Sequence, residues 1–408
     1  MKNLIVSRIE NHVISKSHIM YKTIDEYCFR AKNLYNLATY YVRQEFINNG
    51  KWLRYKELDP MLQKEDAYKL CGSQAGQIIS LTIDDVWKSF FESNKDWKKN
   101  PSKYLGRPKL PKYKDKNGRF TYSLKNIQYR IDEDSYIYFS FKPFKQFNKL
   151  FKTQVNEKLN RISFVPRGSD YVMCILYSLE VPDVKEDSNN IIGIDLGVDN
   201  LATISNNIGQ QPIIINGRPL KSMNQYYNKK LSLLRSDLKK KHNKDWSNKL
   251  QQLTDKRNRK ITYYMHCSSK YIVDYCIQYD IDTIVIGLNK EWKQESSMTK
   301  KTNQNFVNIP YDKLIRQIQY KAENYGIKVI MTEESYTSGT SFLDRELPTK
   351  ANYNKDRRIK RGLFKSNTNK LINADLNGSY QIIKKVFPNV FTDGTEGVYL
   401  HPVRVNII

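Results

Sequence analysis

Residues 190–207 read NIIGIDLGVDNLATISNN: an apolar run ending in Asp195, a glycine at 197, and a second β-prone run from Leu201. Such a pattern predicts a strand, a tight turn and a second strand. It follows the polar stretch VPDVKEDSNN (181–190), which reads as a linker and domain boundary. Downstream come two long basic helical patterns, an apolar strand at 282–287 that runs into a polar, lysine-bearing loop (DTIVIGLNKEWKQ, 282–294), a helix from Pro310, the strand IKVIMTEES and a last helix over NADLNGSYQIIKKVF. Strands followed by helices indicate an α/β sheet.

Working outward toward the N-terminus, residues 1 to about 20 alternate as a strand, and DEYCFRAKNLYNLATYYVRQEFI then takes helical spacing. Over SQAGQIISLTIDDVWKSFF, the residues Ile79, Ile83, Val86 and Phe90 form one core stripe, with Trp87 and Phe91 beside it. Residues 120–182 return to short alternating strands, as in a small antiparallel barrel or sandwich. The expected fold class is multidomain α+β.

Lys plus Arg number 68 against 42 acids, a formal charge of +26 that makes nucleic acid the default partner. Lysine is also abundant in chains from AT-rich genomes, but acids have not risen in step. From Trp87 to Arg119 there are 11 Lys or Arg against three acids, interleaved with aromatic residues and stiffened by Pro108 and Pro111. This basic ribbon, with Arg107, Lys109, Lys112 and Lys114, suits phosphate tracking. The five cysteines form no CxxC pair, so neither a zinc knuckle nor a disulfide framework is encoded. His242 and His266 lack flanking ligands and read as basic-face or packing residues. No signal segment or Walker motif occurs, and the expected setting is cytoplasmic, bacterial and nucleoid-associated, with no membrane partner.

Three acids come from distant segments: Asp195 at a strand tip, Glu334 at the end of IKVIMTEE and Asp375 at the start of the last helix. Hard oxygens of this kind suit divalent cations, and three of them suit two-metal phosphodiester hydrolysis. Glu333 competes with Glu334, and on a strand it would face the opposite side.

GIDLGVDNLATIS is similar to the first RuvC motif of the TnpB family of transposon-encoded RNA-guided nucleases, relatives of compact type V CRISPR effectors. NADLNGSYQI resembles their third motif, and SQAGQIISLTIDDVWKSFF and GRPKLPKYK resemble their N-terminal blocks. The resemblance implies a wedge β-barrel (1–20 and 120–182), a helical recognition lobe (21–119) and an RNase H-like RuvC nuclease domain (190–408). It further implies two Mg²⁺ ions, replaceable by Mn²⁺, on Asp195, Glu334 and Asp375, a guide RNA derived from the transposon end, and a double-stranded DNA target. Two departures stand out. Most members carry Glu where this chain has Gly287, and most carry a four-cysteine zinc element. Part of the superfamily instead places the acid in a stretch like ESYTS, found here at 334–338. The cysteine-free insert at about 339–370 offers Arg357, Arg358, Lys360 and Arg361 to nucleic acid phosphates, and zinc is not expected. A nuclease-dead RNA-guided repressor and a compact type V effector are the competing readings.

Overall fold

The structure, a computed structural model, describes residues 4–185, 189–288, 309–391 and 398–407. The lysine-bearing loop expected after the 282–287 strand lies outside them. The chain divides into two compact units, Ile5–Leu179 and Glu180–Ile408 with the first four residues.

In the first unit, strand β1 (Leu4–Ile14) leads into helix α1 (Tyr21–Asn49), which stops where Gly50 takes a left-handed conformation and its N–H bonds the Phe46 carbonyl. Helices α2 (Tyr55–Gln63), α3 (Asp66–Cys71) and α4 (Ser73–Lys99) follow. The stripe on α4 is centred one residue from the expected line. Ala75, Ile79, Ile83 and Trp87 are buried, whereas Val86 and Phe90 are only partly so. The large Trp87 indole, packed edge-on to Phe46 and Phe90, sets the rotation of the helix.

Strands β2 (Tyr122–Lys125), β5 (Leu159–Arg167) and β6 (Asp170–Val181) join β1 in a sheet of order β1-β6-β5-β2, while β3 (Tyr129–Ile131) and β4 (Ile137–Phe139) pair only with each other. Among the described residues, therefore, the expected barrel is an open four-stranded sheet with a separate hairpin. Helices and sheet share one core in which Cys28, Ile79, Trp87, Tyr122 and Phe164 are all buried. The basic ribbon is stapled along α1: Asn36 bonds the Lys114 backbone in both directions, Arg43 donates to the Pro111 carbonyl and Lys32 to that of Lys116. Arg107, Lys109, Lys112 and Lys114 are exposed. Lys114 lies against the Tyr35 and Phe120 rings.

The second unit is built on a six-stranded sheet. Strands β7 (Ile191–Leu196), β8 (Asn200–Asn206), β9 (Ile213–Asn216), β10 (Thr283–Gly287), β11 (Lys328–Thr332) and β14 (Val403–Val405) lie in the order β11-β10-β7-β8-β9-β14. β10 runs parallel to both β7 and β11, whereas β8 is antiparallel to its neighbours. Strand alternation divides the side chains between two faces. Ile192, Ile194, Ile284 and Ile286 pack with helices α5 (Arg218–His242), α6 (Asn248–Gln278) and α7 (Tyr311–Glu323) on one side. Ile191 and Val285 pack on the other side against helix α8 (Ala374–Val386).

The insert folds around Phe342, Phe364, Ile372 and Tyr380, with the Phe342 and Tyr380 rings stacked at 4.3 Å. Strands β12 (Leu363–Lys365) and β13 (Leu371–Asn373) form its hairpin. Burial of these aromatic rings ties the insert to the last helix. No helix among the described residues is long and apolar enough to cross a membrane.

Candidate active site

Because Ile191 faces α8, alternation along β7 brings Asp195 to the same face. A side chain at Gly378, on the first turns of α8, would meet the Asp195 Oδ2 at 3.0 Å, so the glycine admits the carboxylate against the helix. Helix and sheet are clamped nearby by Ser379, whose hydroxyl donates to the Gly193 carbonyl and accepts the Ser205 N–H. Asn373 caps α8 by accepting the N–H groups of Asp375 and Leu376, which sets Asp375 in the first turn. Past Asp195 the chain is steadied where the Tyr311 hydroxyl donates to the Gly197 carbonyl at 2.9 Å.

The third acid arrives differently from the sequence expectation. β11 ends at Thr332, so Glu333 and Glu334 both lie beyond the strand, and alternation does not govern them. Glu333 is exposed, while Glu334 is partly buried and lines the cavity. It passes directly over Gly287. A Cβ built there would stand 2.6 Å from the Glu334 Cγ and 2.7 Å from its Oε1. The glycine is the space Glu334 needs.

Asp195, Glu334 and Asp375 thus line one cavity of about 740 Å³, rimmed by Arg218, Lys221, Arg358, Arg361 and Arg404. Burial raises the Asp195 carboxyl well above the ordinary carboxylate range, and the charges of Glu334 and Asp375 push it further, with Arg358 opposing. Glu334 is pushed up to about 7 by burial, against the pull of Lys385. At Asp199, burial pushes upward, but Lys221, Arg361 and Arg218 outweigh it and hold the carboxyl low.

Among the described residues, no three His, Cys, Asp or Glu side chains stand grouped to hold a metal ion as they are. Asp375 is engaged within the protein. Its Oδ1 accepts from Arg358 at 3.0 Å and its Oδ2 from Asn200 at 2.7 Å. The donor chemistry nevertheless fits a hard cation: three carboxyl groups line one cavity, and a guanidinium already stands where positive charge is accepted on the third.

The basic residues expected on the insert divide. Arg358 is on Asp375, and Arg361, with 83 % of its side chain exposed, reaches Asp199 at 2.6 Å. Lys360 is exposed. Arg357 pairs at 2.6 Å with Glu346, both largely buried, and so holds the insert together rather than offering itself to phosphate. Arg107, Lys109, Lys112 and Lys114 belong to the other unit. Arg218, Lys221, Asn200 and Arg404 also line the cavity. Asn200 is marked in the sequence as a polar residue at a strand start, but nothing in the sequence marks Arg404.

Residues 174–293 match a family model described as a probable transposase, OrfB_IS605, and residues 311–382 match the Cas12f1-like TNB domain. Over 257 residues the chain is 27 % identical to the CRISPR-associated endodeoxyribonuclease Cas12f2 of Micrarchaeota archaeon (strain CG1_02_47_40), covering 58 % of this chain and 45 % of that one. The chain therefore spans less than half the length of that relative. Its fold is similar to Cas12f1 as solved with sgRNA and target DNA, at a TM-score of 0.53 and 16 % identity, covering 89 % of this chain and 82 % of that one.

Proposed function

We propose that this chain, a relative of the TnpB-type transposon proteins and the compact type V effectors, is an RNA-guided DNA endonuclease whose catalytic acids are Asp195, Glu334 and Asp375. One observation carries the reading: carboxylates from three distant segments line a single cavity with a cationic rim. Residues 190–408 act as the RuvC-type nuclease domain, residues 1–20 and 120–182 as the wedge and residues 21–119 as the recognition lobe. Guide pairing reads the target sequence, while the protein reads duplex shape and a short flanking motif.

Two Mg²⁺ ions on the three acids would supply an activated water and stabilise the leaving oxygen, with Mn²⁺ able to substitute. The chain's own residues do the rest. Asp195 and Glu334, lining one cavity with Asp375, supply the carboxylate oxygens that a cation would take. Arg358 and Arg361 approach the cavity from the insert, where they can hold strand phosphates once released from their carboxylates. The exposed Lys109 and Lys112 of the ribbon meet nucleic acid phosphates through the other unit.

The nuclease-dead alternative rests on Gly287, and the overlap of that position with Glu334 supports a relocated acid over a lost one. The CRISPR effector reading is favoured by the similarity to Cas12f2. Sequencing the RNA that copurifies with the protein separates a transposon-end guide from a repeat-derived one. Supercoiled-plasmid nicking and linearisation with a matched guide tests the chemistry: Asp195→Ala, Glu334→Ala and Asp375→Ala are expected to lose cleavage and keep guided DNA binding. Wild-type protein that binds but never cuts, with either metal and any flanking motif, would leave the repressor.

A further inference from the structure

We infer that Asn200 and Arg404 form a positioning relay that fixes the Asp375 carboxylate for metal binding; the inference rests on the nuclease reading above. The Asn200 amide is held from both sides. Its Oδ1 accepts from an Arg404 guanidinium nitrogen at 2.8 Å, and its Nδ2 donates to the Asp375 Oδ2 at 2.7 Å. A guanidinium has only donors and a carboxylate only acceptors, so the amide has one satisfactory orientation. Turning it over would set nitrogen against Arg404 and oxygen against Asp375.

Arg404 is itself placed by the sheet. It lies on edge strand β14, parallel to β9, and its other guanidinium nitrogen reaches the Asn216 Oδ1 at 3.3 Å and the Asp199 carbonyl at 3.4 Å. The guanidinium thereby spans the ends of β8 and β9. Asn200, at the start of β8, passes that constraint to the first turn of α8 across 175 residues of sequence. With Oδ2 occupied by a neutral donor, Oδ1 is the oxygen left to exchange Arg358 for a cation. A fixed partner behind a metal-binding carboxylate orients it and narrows its motion, an arrangement whose loss typically costs 10–100-fold in metal affinity or activity.

The test uses the full chain, titrated with Mn²⁺ and followed by electron paramagnetic resonance, with Asp375→Ala as the reference for a lost ligand. Asn200→Asp keeps the size and the Arg404 contact but replaces the donor with an acceptor, and Arg404→Ala frees the amide. Both are expected to weaken Mn²⁺ binding by roughly 10–100-fold and to raise the Mg²⁺ needed for half-maximal guided cleavage by a similar factor. Affinity for matched DNA and the melting temperature should stay near wild type. Arg404→Lys, still a pure donor, should restore metal affinity in part, whereas Arg404→Gln, able to accept, should not. The relay is overturned if Arg404→Ala leaves Mn²⁺ binding unchanged and instead weakens DNA binding with a shallower salt dependence, which is the behaviour of a phosphate contact. Wild-type protein that neither takes up Mn²⁺ at this cavity nor cleaves would sink the nuclease reading itself, a result distinct from a wild type that does both while the variants match it.

Discussion

Adding one methyl group at Gly287 should disable the site without replacing any of its three acids. The Cβ of Gly287→Ala would lie 2.5 Å from the Ile382 Cδ1, 2.6 Å from the Glu334 Cγ and 2.7 Å from its Oε1. Ordinary carbon contacts run at about 3.5–4.0 Å, so something must yield by about 1 Å. Ile382 is 1 % exposed and packed among Ile191, Val285 and Ile383, which leaves Glu334 as the group that moves. Overpacking of this kind costs about 1–3 kcal/mol, and in a unit of this size each kcal/mol lowers the melting temperature by about 2–4 °C. A misplacement of about 1 Å at a reacting centre costs on the order of 100-fold in rate. Gly287→Glu, which restores the acid at its commoner position, should be worse than Gly287→Ala, not better. Removing the obstruction in Gly287→Glu/Glu334→Ala should recover stability relative to Gly287→Glu and some cleavage relative to Glu334→Ala, a coupling of about 0.5–3 kcal/mol. Thermal melts and single-turnover plasmid cleavage with a matched guide measure both quantities. A Gly287→Ala protein with wild-type melting and rate, or strictly additive effects in the cycle, would refute the claim that 287 and 334 share one space.

Glu333→Ala should cleave like wild type, since Glu333 is exposed while Glu334 lines the cavity; a dead Glu333→Ala beside an active Glu334→Ala would move the role by one residue. Mg²⁺ should raise the melting temperature more at pH 8 than at pH 5.5. The folded state holds the Glu334 proton up to about 7 while the unfolded chain releases it near the ordinary value of 4.5, so the metal-free protein loses stability as pH rises from 4.5 to about 7. Above that window the metal meets a bare carboxylate, and a pH-independent Mg²⁺ shift would contradict it. Replacing Lys109 and Lys112 by Ala should flatten the salt dependence of guide RNA binding by about 0.7 in log–log slope for each lost single-strand phosphate contact, with folding preserved. Lys114 should be left alone in that experiment, because it also covers the Tyr35 and Phe120 rings. Phe342→Ala should destabilise the insert by about 3–5 kcal/mol, whereas a zinc chelator should leave its melting unchanged.

The sequence by itself determined the parts that depend on local pattern. The run into Asp195, the capped start of the helix at Asp375 and the absence of thiolate pairs are properties of a few neighbouring residues, and hydrophobic alternation and end chemistry make them legible. Family resemblance added the choice of Glu334 over Gly287. Only the tertiary structure shows the two positions sharing one space. Gly287 lies opposite Thr332 in the pairing of two parallel strands, and the chain beyond Thr332 folds back over that glycine, a relation between segments 45 residues apart. The same holds for Trp87 at the centre of its helix stripe, for Arg357 committed to Glu346 and for Arg404 reaching Asn200. Each is decided by which side chain fills which space once the sheet is assembled, and packing at crystal-like density leaves room for one solution at each point.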